Sequence, residues 1–266
     1  ALLDRTKTKL VHFYPTINSY LVEAPTGSLN AERDFKNSGI VDVVEFDTVY
    51  RLNTVNTNDP LIGYLWGLND SHGIDASVAW PASANGSEVV VAVIDTGVET
   101  SHPDLSGMIW QNDDEIPNNG IDDDNNGYVD DTSGWDFLYQ DNTPDDRHGH
   151  GTHVAGTIAA TRNNGEGIAG VANNVKIMPL KVLGVNGAGA EIAAPVNQFI
   201  EAIEYAHLNG AKISNNSWGG GAQSLLMKNA IDAAGNNGHL FVAAAGNYGS
   251  NNDIYSFYPA SYSSSN

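Results

Sequence analysis

The chain has 266 residues, with 12 Lys and Arg against 32 Asp and Glu and a formal net charge of −20; its pI lies near 4.4. Such a surface repels phosphate backbones and excludes nucleic acid as a partner, and with no cysteine the chain has no disulfides. A hydrophobic content of 41% can fill one main domain and a small one, while no apolar run reads as a membrane span or signal peptide, ALLDRTKTKL being too polar for either.

In chain order, KLVHFYPTINSYLVEAP (9–25) alternates in the manner of strands. LNAERDFKNSG (29–39) has helix formers and a glycine stop, and VDVVEFDTVYRL (41–52) again reads as a strand. This ββαβ series predicts a small α+β unit over residues 1–53, a polar linker over 54–59 and the main domain over 60–266. VVVAVID (89–95) is β-branched and too short for a typical helix, so it reads as a fully buried parallel strand that ends on Asp95. Asp-Thr-Gly is also good turn chemistry, and Asp95 taken alone reads equally well as a turn opener.

Acidity is concentrated next. Between Asp95 and Asp146 fall 15 of the acidic residues, with no Lys or Arg among them. Within that window IDDDNNGYVDD (121–131) offers Asp122, Asp124 and Asn126 at alternating positions, then Gly127, the Tyr128 carbonyl and Asp130 or Asp131. Hard oxygen donors at this spacing, with glycine at the turn, suit calcium in a contracted loop. A merely solvated, salt-adapted acidic loop is the rival reading.

HGHGTHVAGTIAA (148–160) follows. Its small residues let the segment lie close to neighbouring backbone and hold an imidazole rigidly. Three histidines raise the question of zinc, but the spacing is not HExxH. His150 therefore reads as a base, His153 as a packed structural histidine, and zinc as a minor alternative. A serine nucleophile needs an imidazole to take its proton and a buried carboxylate to hold that imidazole in one tautomer, the pair that His150 and Asp95 supply.

Further strands are expected at 175–183, 211–216 and 239–245, and a helix over 191–209 with Ile192, Val196, Phe199, Ile203 and Ala206 on one apolar face. Strand–helix alternation predicts an α/β main domain, a parallel sheet with helices on both faces and functional positions just past strand C-termini. No glycine-rich phosphate fingerprint follows the first strand, which argues against a nucleotide enzyme.

Four segments in this order, IDTG at Asp95, HGTHVAG from His150, NNSWGG at 215–220 and AAAGN ending at Asn247, resemble the motifs of subtilisin-like serine proteases, the subtilases. The resemblance implies that Asp95 orients, His150 is the base and Asn247 donates to the oxyanion. It implies one cleft wall at Ser217, Trp218 and Gly219 and the opposite wall at Ala188 and Gly189. It further implies substrate-binding positions at Ala244 and Gly246, on the strand end before Asn247, and at Phe257, near the floor of the primary pocket. It also implies a structural Ca2+ site at Asp104 and Asn163, and identifies residues 1–53 with part of a propeptide that would occupy the cleft of its own enzyme.

No GTSMA-like segment occurs, and none of the serines after Asn247 lies in a strand–turn–helix context. The expectation is therefore a truncated catalytic domain of a calcium-stabilised, secreted endopeptidase acting on polypeptides, inactive without the missing serine. The alternative is a noncatalytic, subtilase-like peptide-binding protein.

Overall fold

The computed structural model describes residues 2–25, 29–46, 57–69, 73–83, 88–220 and 222–264. The chain divides into two compact units, Ala1–Leu52 and Asn53–Asn266. The first contains α1 (Leu2–Thr6), β1 (Lys9–Tyr14), β2 (Ser19–Glu23) and α2 (Leu29–Lys36). β1 and β2 form an antiparallel hairpin in which Tyr14 faces Ser19, and the Phe13 and Tyr20 rings pack at 4.6 Å. The third strand expected from 41–52 is not formed by residues 41–46, which pair with neither strand of the hairpin; residues 47–52 lie outside the described residues.

The second unit runs α3 (Trp66–Asn69), α4 (Ala76–Ser83), β3 (Val89–Asp95), β4 (Trp135–Asp136), α5 (His150–Ala159), β5 (Val175–Lys181), β6 (Leu183–Val185), β7 (Glu191–Ala193), α6 (Val196–Leu208), β8 (Ile213–Asn216), α7 (Leu225–Asn236) and β9 (Leu240–Ala243). Five strands form one parallel sheet in the order β4-β5-β3-β8-β9.

Alternation along β3 explains why both faces are covered. Ala92 and Ile94 point into a core with Phe199, Ile203 and Tyr205 of α6 and Met227 and Ile231 of α7. Val91 and Val93 point into a second core with Ala155 and Ala159 of α5. Successive side chains leave a strand on opposite faces, so an unbroken apolar run requires a helix layer on each side. Among the described residues no helix is long and apolar enough to cross a membrane.

The helix expected over 191–209 begins later. Residues 191–193 pair antiparallel with 183–185 as a hairpin, and Pro195 is the extended N-cap of α6. Proline disfavours helical backbone in the residue before it, so the helix starts only at Val196. Phe199, Ile203 and Ala206 are buried as their spacing requires, whereas Val196, in the exposed first turn, is 48% exposed. His153 is a second departure: it lies on the exposed face of α5, not packed inside, because Gly151, Ala155 and Ala159 form the buried stripe.

Candidate active site

β3 delivers Asp95 into the interior, where it is fully buried. Its Oδ1 accepts from the Thr96 backbone N–H at 2.7 Å and from His150 Nδ1 at 2.6 Å. The Asp95 side chain is wholly enclosed, while that of His150 is 43% exposed. A carboxylate oxygen only accepts, so Nδ1 carries the hydrogen and the neutral ring is left with a free lone pair on Nε2.

Two glycines permit this approach. A Cβ on Gly151 would stand 2.1 Å from the Gly97 carbonyl oxygen and 3.2 Å from Asp95 Cβ, and one on Gly97 (φ +97°) would strike the Pro144 carbonyl at 2.4 Å. The start of α5 is further held by Asp146, which the sequence reading passed over. Its Oδ1 accepts from the His148 and Gly149 N–H groups, and its Oδ2 from Thr152 N and Oγ1. Burial pushes the Asp146 carboxyl up, but the backbone donors of Gly149, Thr152 and His148 prevail and hold it below the usual carboxylate range.

Of the other predicted cleft residues, those at 217–219 and 244–247 follow the C-termini of β8 and β9. Ser217 and Trp218 are half-buried and Gly219 exposed directly after β8. Trp218 donates its indole N–H to the Ile94 carbonyl, next to Asp95, at 3.0 Å, and its ring meets Phe199 at 4.6 Å. Ala188 and Gly189 sit exposed at the tip of the β6–β7 hairpin, where Asn186 Oδ1 accepts from Ala188 N and Ala190 N. Ala244 N donates to the Asn216 carbonyl, and Gly246 (φ +93°) turns the chain toward the exposed Asn247.

Phe257 joins two of these segments. Its ring would lie 2.3 Å from a Cβ on Gly219 and 3.7 Å from one on Gly246, and the following residue, Tyr258, exchanges backbone bonds with Gly220. Only glycine at 219 leaves room for the ring.

The acidic window folds around one centre. Ligand atoms of Glu115, Asp124 and Asp131 lie within 4.8 Å of one another. Asn112 Nδ2 donates to Asp124 and Asp131, Asn126 Nδ2 donates to the same two, and Tyr205 OH donates to Asp131 Oδ2 at 2.5 Å. Asp122 instead caps the backbone, accepting from Asn126 N and Gly127 N. The Tyr128 side chain turns inward, edge-on to Trp135, Phe137 and Tyr205. Glu115 lies outside the alternating Asp pattern and was missed for that reason; only its place in the same charge-dense window could have flagged it.

A second group surrounds Asp104, which is buried. Its Oδ1 accepts from Asn164 Nδ2 at 2.9 Å and its Oδ2 from Ile168 N at 2.8 Å. Asn164, not Asn163, thus meets Asp104. Asn163 bonds through its N–H to Asp59 Oδ2 and through its Oδ1 to Asn58 N. Asp59 is 2% exposed, and its Oδ1 is buried without a hydrogen-bond partner. The end of the predicted linker is therefore pinned to loop 163–168, a long-range pairing that local sequence does not announce.

Comparison with known proteins is consistent with this arrangement. The profile of the subtilase family (peptidase S8) matches residues 86–265. The chain is 33% identical over 259 residues to the thermophilic serine proteinase of Bacillus sp. (strain AK1), covering 97% of this chain and 54% of that protein. It is 37% identical over 190 residues to thermitase of Thermoactinomyces vulgaris, covering 71% and 57%. A solved protease structure from Pseudoalteromonas arctica matches with a TM-score of 0.54 at 36% identity, covering 72% of this chain and 59% of that one. The chain thus spans little more than half the length of these relatives.

Proposed function

The chain belongs to the subtilase family, and from that premise we propose that residues 60–266 supply the orienting acid, general base and oxyanion donor of a serine endopeptidase. The observation that carries this reading is the 2.6 Å contact between His150 Nδ1 and the buried Asp95 carboxylate. Asp95 holds the imidazole in the Nδ1–H tautomer and stabilises the imidazolium; Nε2 takes the proton of an attacking hydroxyl and later returns it to the leaving amine. The Asn247 carboxamide donates to the oxygen on which negative charge develops, a contribution of about a hundred- to a thousandfold in rate. An extended polypeptide pairs with the backbone at Ser217–Gly219 and at Ala188–Gly189, and the Phe257 ring limits the size of side chain accepted between Gly219 and Gly246.

Among the described residues no serine hydroxyl bonds to His150. The reading therefore assigns no nucleophile among the described residues.

Calcium is proposed at both acidic groups. Glu115, Asp124 and Asp131 form an all-oxygen set with no Lys or Arg in the window to balance it, and Asp59, whose buried Oδ1 accepts no hydrogen bond and whose charge is felt by Arg162, offers a free oxygen beside the loop that also holds Asp104 and Asn164. The ion would supply countercharge that holds these loops closed, with no part in bond cleavage. Residues 1–53 are assigned as inhibitor of the same cleft, and export from the cell fits a calcium-dependent protein without cysteine.

The deciding experiment expresses the source reading frame beyond Asn266 and assays peptide hydrolysis with and without His150→Ala. Turnover that falls by about 10⁶, the scale seen when a subtilisin loses its base, supports the endopeptidase. Peptide binding without turnover in the extended protein favours the noncatalytic alternative.

A further inference from the structure

The Asp95–His150 pair is not held by its own two residues alone. Thr96 is its mechanical node. The Thr96 N–H donates to Asp95 Oδ1 at 2.7 Å, and its Oγ1 accepts from the N–H of Gly151, the residue after His150, at 2.9 Å. Its carbonyl oxygen is the acceptor for Lys181 Nζ, at 2.5 Å. A lysine buried to 3% exposure is uncommon, and this one has no part in the chemistry described above.

Lys181 is the last residue of β5 and lies opposite Asp95 in the parallel register. That register sends both side chains to the same face and brings the ammonium behind the turn that follows Asp95. Gly184 leaves it room, since a Cβ there would stand 3.3 Å from Nζ. On its other side is a polar cavity of about 390 Å³ lined by Asp136, Asp141, Asp145, Arg147 and the Lys181 side chain among others. The charged groups that act on the ammonium are Asp136, Asp146 and Asp145 in attraction and Arg147 in repulsion. Burial holds the Lys181 ammonium below its ordinary value, and the three carboxylates oppose that shift while the guanidinium adds to it; its hydrogen bond is the one to the Thr96 carbonyl.

We propose that Lys181 is a positioning residue for the Asp95–His150 pair, anchoring the Thr96 carbonyl so that the Thr96 N–H and hydroxyl fix the carboxylate beneath the imidazole. The physical reason is directional. A charge-assisted bond to a carbonyl is about twice as strong as a neutral one; the Thr96 carbonyl lies in the peptide plane after Thr96 Cα and the Thr96 N–H in the plane before it, so anchoring the oxygen fixes the position of Thr96 from which its N–H and hydroxyl both reach out. Without the ammonium, the Asp95–Thr96 turn is free to tilt and the short contact to His150 lengthens. The inference rests on Asp95 and His150 acting as a hydrogen-bonded pair, as proposed above.

The test uses the full 266-residue chain and a spectroscopic signature of the pair, so it needs no nucleophile. In proton NMR the His150 Nδ1–H gives a low-field resonance, assigned by its loss in Asp95→Asn. Lys181→Met, which keeps the stem and removes the charge, is expected to abolish this resonance or speed its exchange with water at least tenfold while circular dichroism remains that of the folded protein. Lys181→Arg is expected to restore it. If Lys181→Met does not fold, Lys181→Gln, which removes the charge and shortens the stem so that the Thr96 carbonyl loses its ammonium, is expected to shift or broaden the same signal. A folded Lys181→Met or Lys181→Gln protein with the wild-type resonance and exchange rate overturns the proposal. Absence of any Asp95-dependent resonance in the wild type overturns the pair itself, a separate and distinguishable failure.

Discussion

Tyr205→Phe isolates the bond between the acidic loop and the core. The Tyr205 ring is 2% exposed and stands edge-on to Tyr128, Phe137 and Trp110 at 4.9, 5.9 and 6.5 Å. Phenylalanine preserves all three contacts and removes only the hydroxyl that donates to Asp131 Oδ2. Burial first, and the Asp131 charge second, push the phenol well above its ordinary value, so it remains a donor throughout the working pH range. A hydrogen bond to a charged acceptor contributes about 1.5–3 kcal/mol. Asp131 retains Asn112 on one oxygen and Asn126 on the other, so the carboxylate is not stripped and the expected cost is at the lower end, about 2 kcal/mol. For a unit of this size that corresponds to a melting temperature lower by about 4–8 °C. The assay is thermal unfolding by circular dichroism in EDTA and in saturating calcium. If the loop binds calcium as proposed above, the loss is smaller in calcium than in EDTA. An unchanged melt in EDTA refutes the assigned bond, and equal losses in both buffers refute its link to a metal-binding loop.

Three further outcomes follow from the geometry. Gly151→Ala places a Cβ 2.1 Å from the Gly97 carbonyl; overpacking costs about 1–3 kcal/mol, and the retreat of α5 should abolish the low-field His150 resonance, so an unperturbed spectrum would show that α5 does not approach so closely. Asp136 is pushed up to about 6, chiefly by burial; the folded state then binds a proton more readily than the unfolded one, stability declines as pH rises from about 4 to about 6, and Asp136→Asn, whose amide oxygen still accepts from Leu138 and Tyr139, should lack that decline in urea titrations across this range. His239 is held below its ordinary value, mainly by burial, with Nδ1 on the Ala211 carbonyl and Nε2 on Ser214 Oγ. Its contribution is present above pH 6.5 and lost as pH falls through the lower folded value; in His239→Gln, melting temperature should depend less on pH below 6.5, and an equal dependence in both proteins would contradict the assignment.

Much of the architecture was legible because it is written in local periodicity. VVVAVID reads as a buried strand from its composition alone, and its alternating residues do serve two cores. The α6 stripe at Phe199, Ile203 and Ala206 follows from the helical repeat. Errors arose where a tertiary partner decides. Residues 191–193 carry no signal that 183–185 will pair with them, and the exposure of His153 depends on which face of α5 meets the sheet. Asn163 and Asn164 are adjacent and chemically identical, so only the loop's path determines which amide reaches Asp104.

The sequence by itself determined the class of this protein. Asp95 and His150 are embedded in motifs whose small residues and apolar flanks prescribe a strand end and a tightly packed helix start, and the run of carboxylates marks where the chain is most strongly charged. The tertiary structure alone decided which groups act together. Glu115 joins Asp124 and Asp131 from outside their pattern, Asp59 is drawn to a loop about a hundred residues away, and Lys181 is brought behind Asp95 by the register of two parallel strands. These are pairings across large sequence separation, set by how strands align and how layers pack, and the intervening chain carries no periodicity that records them.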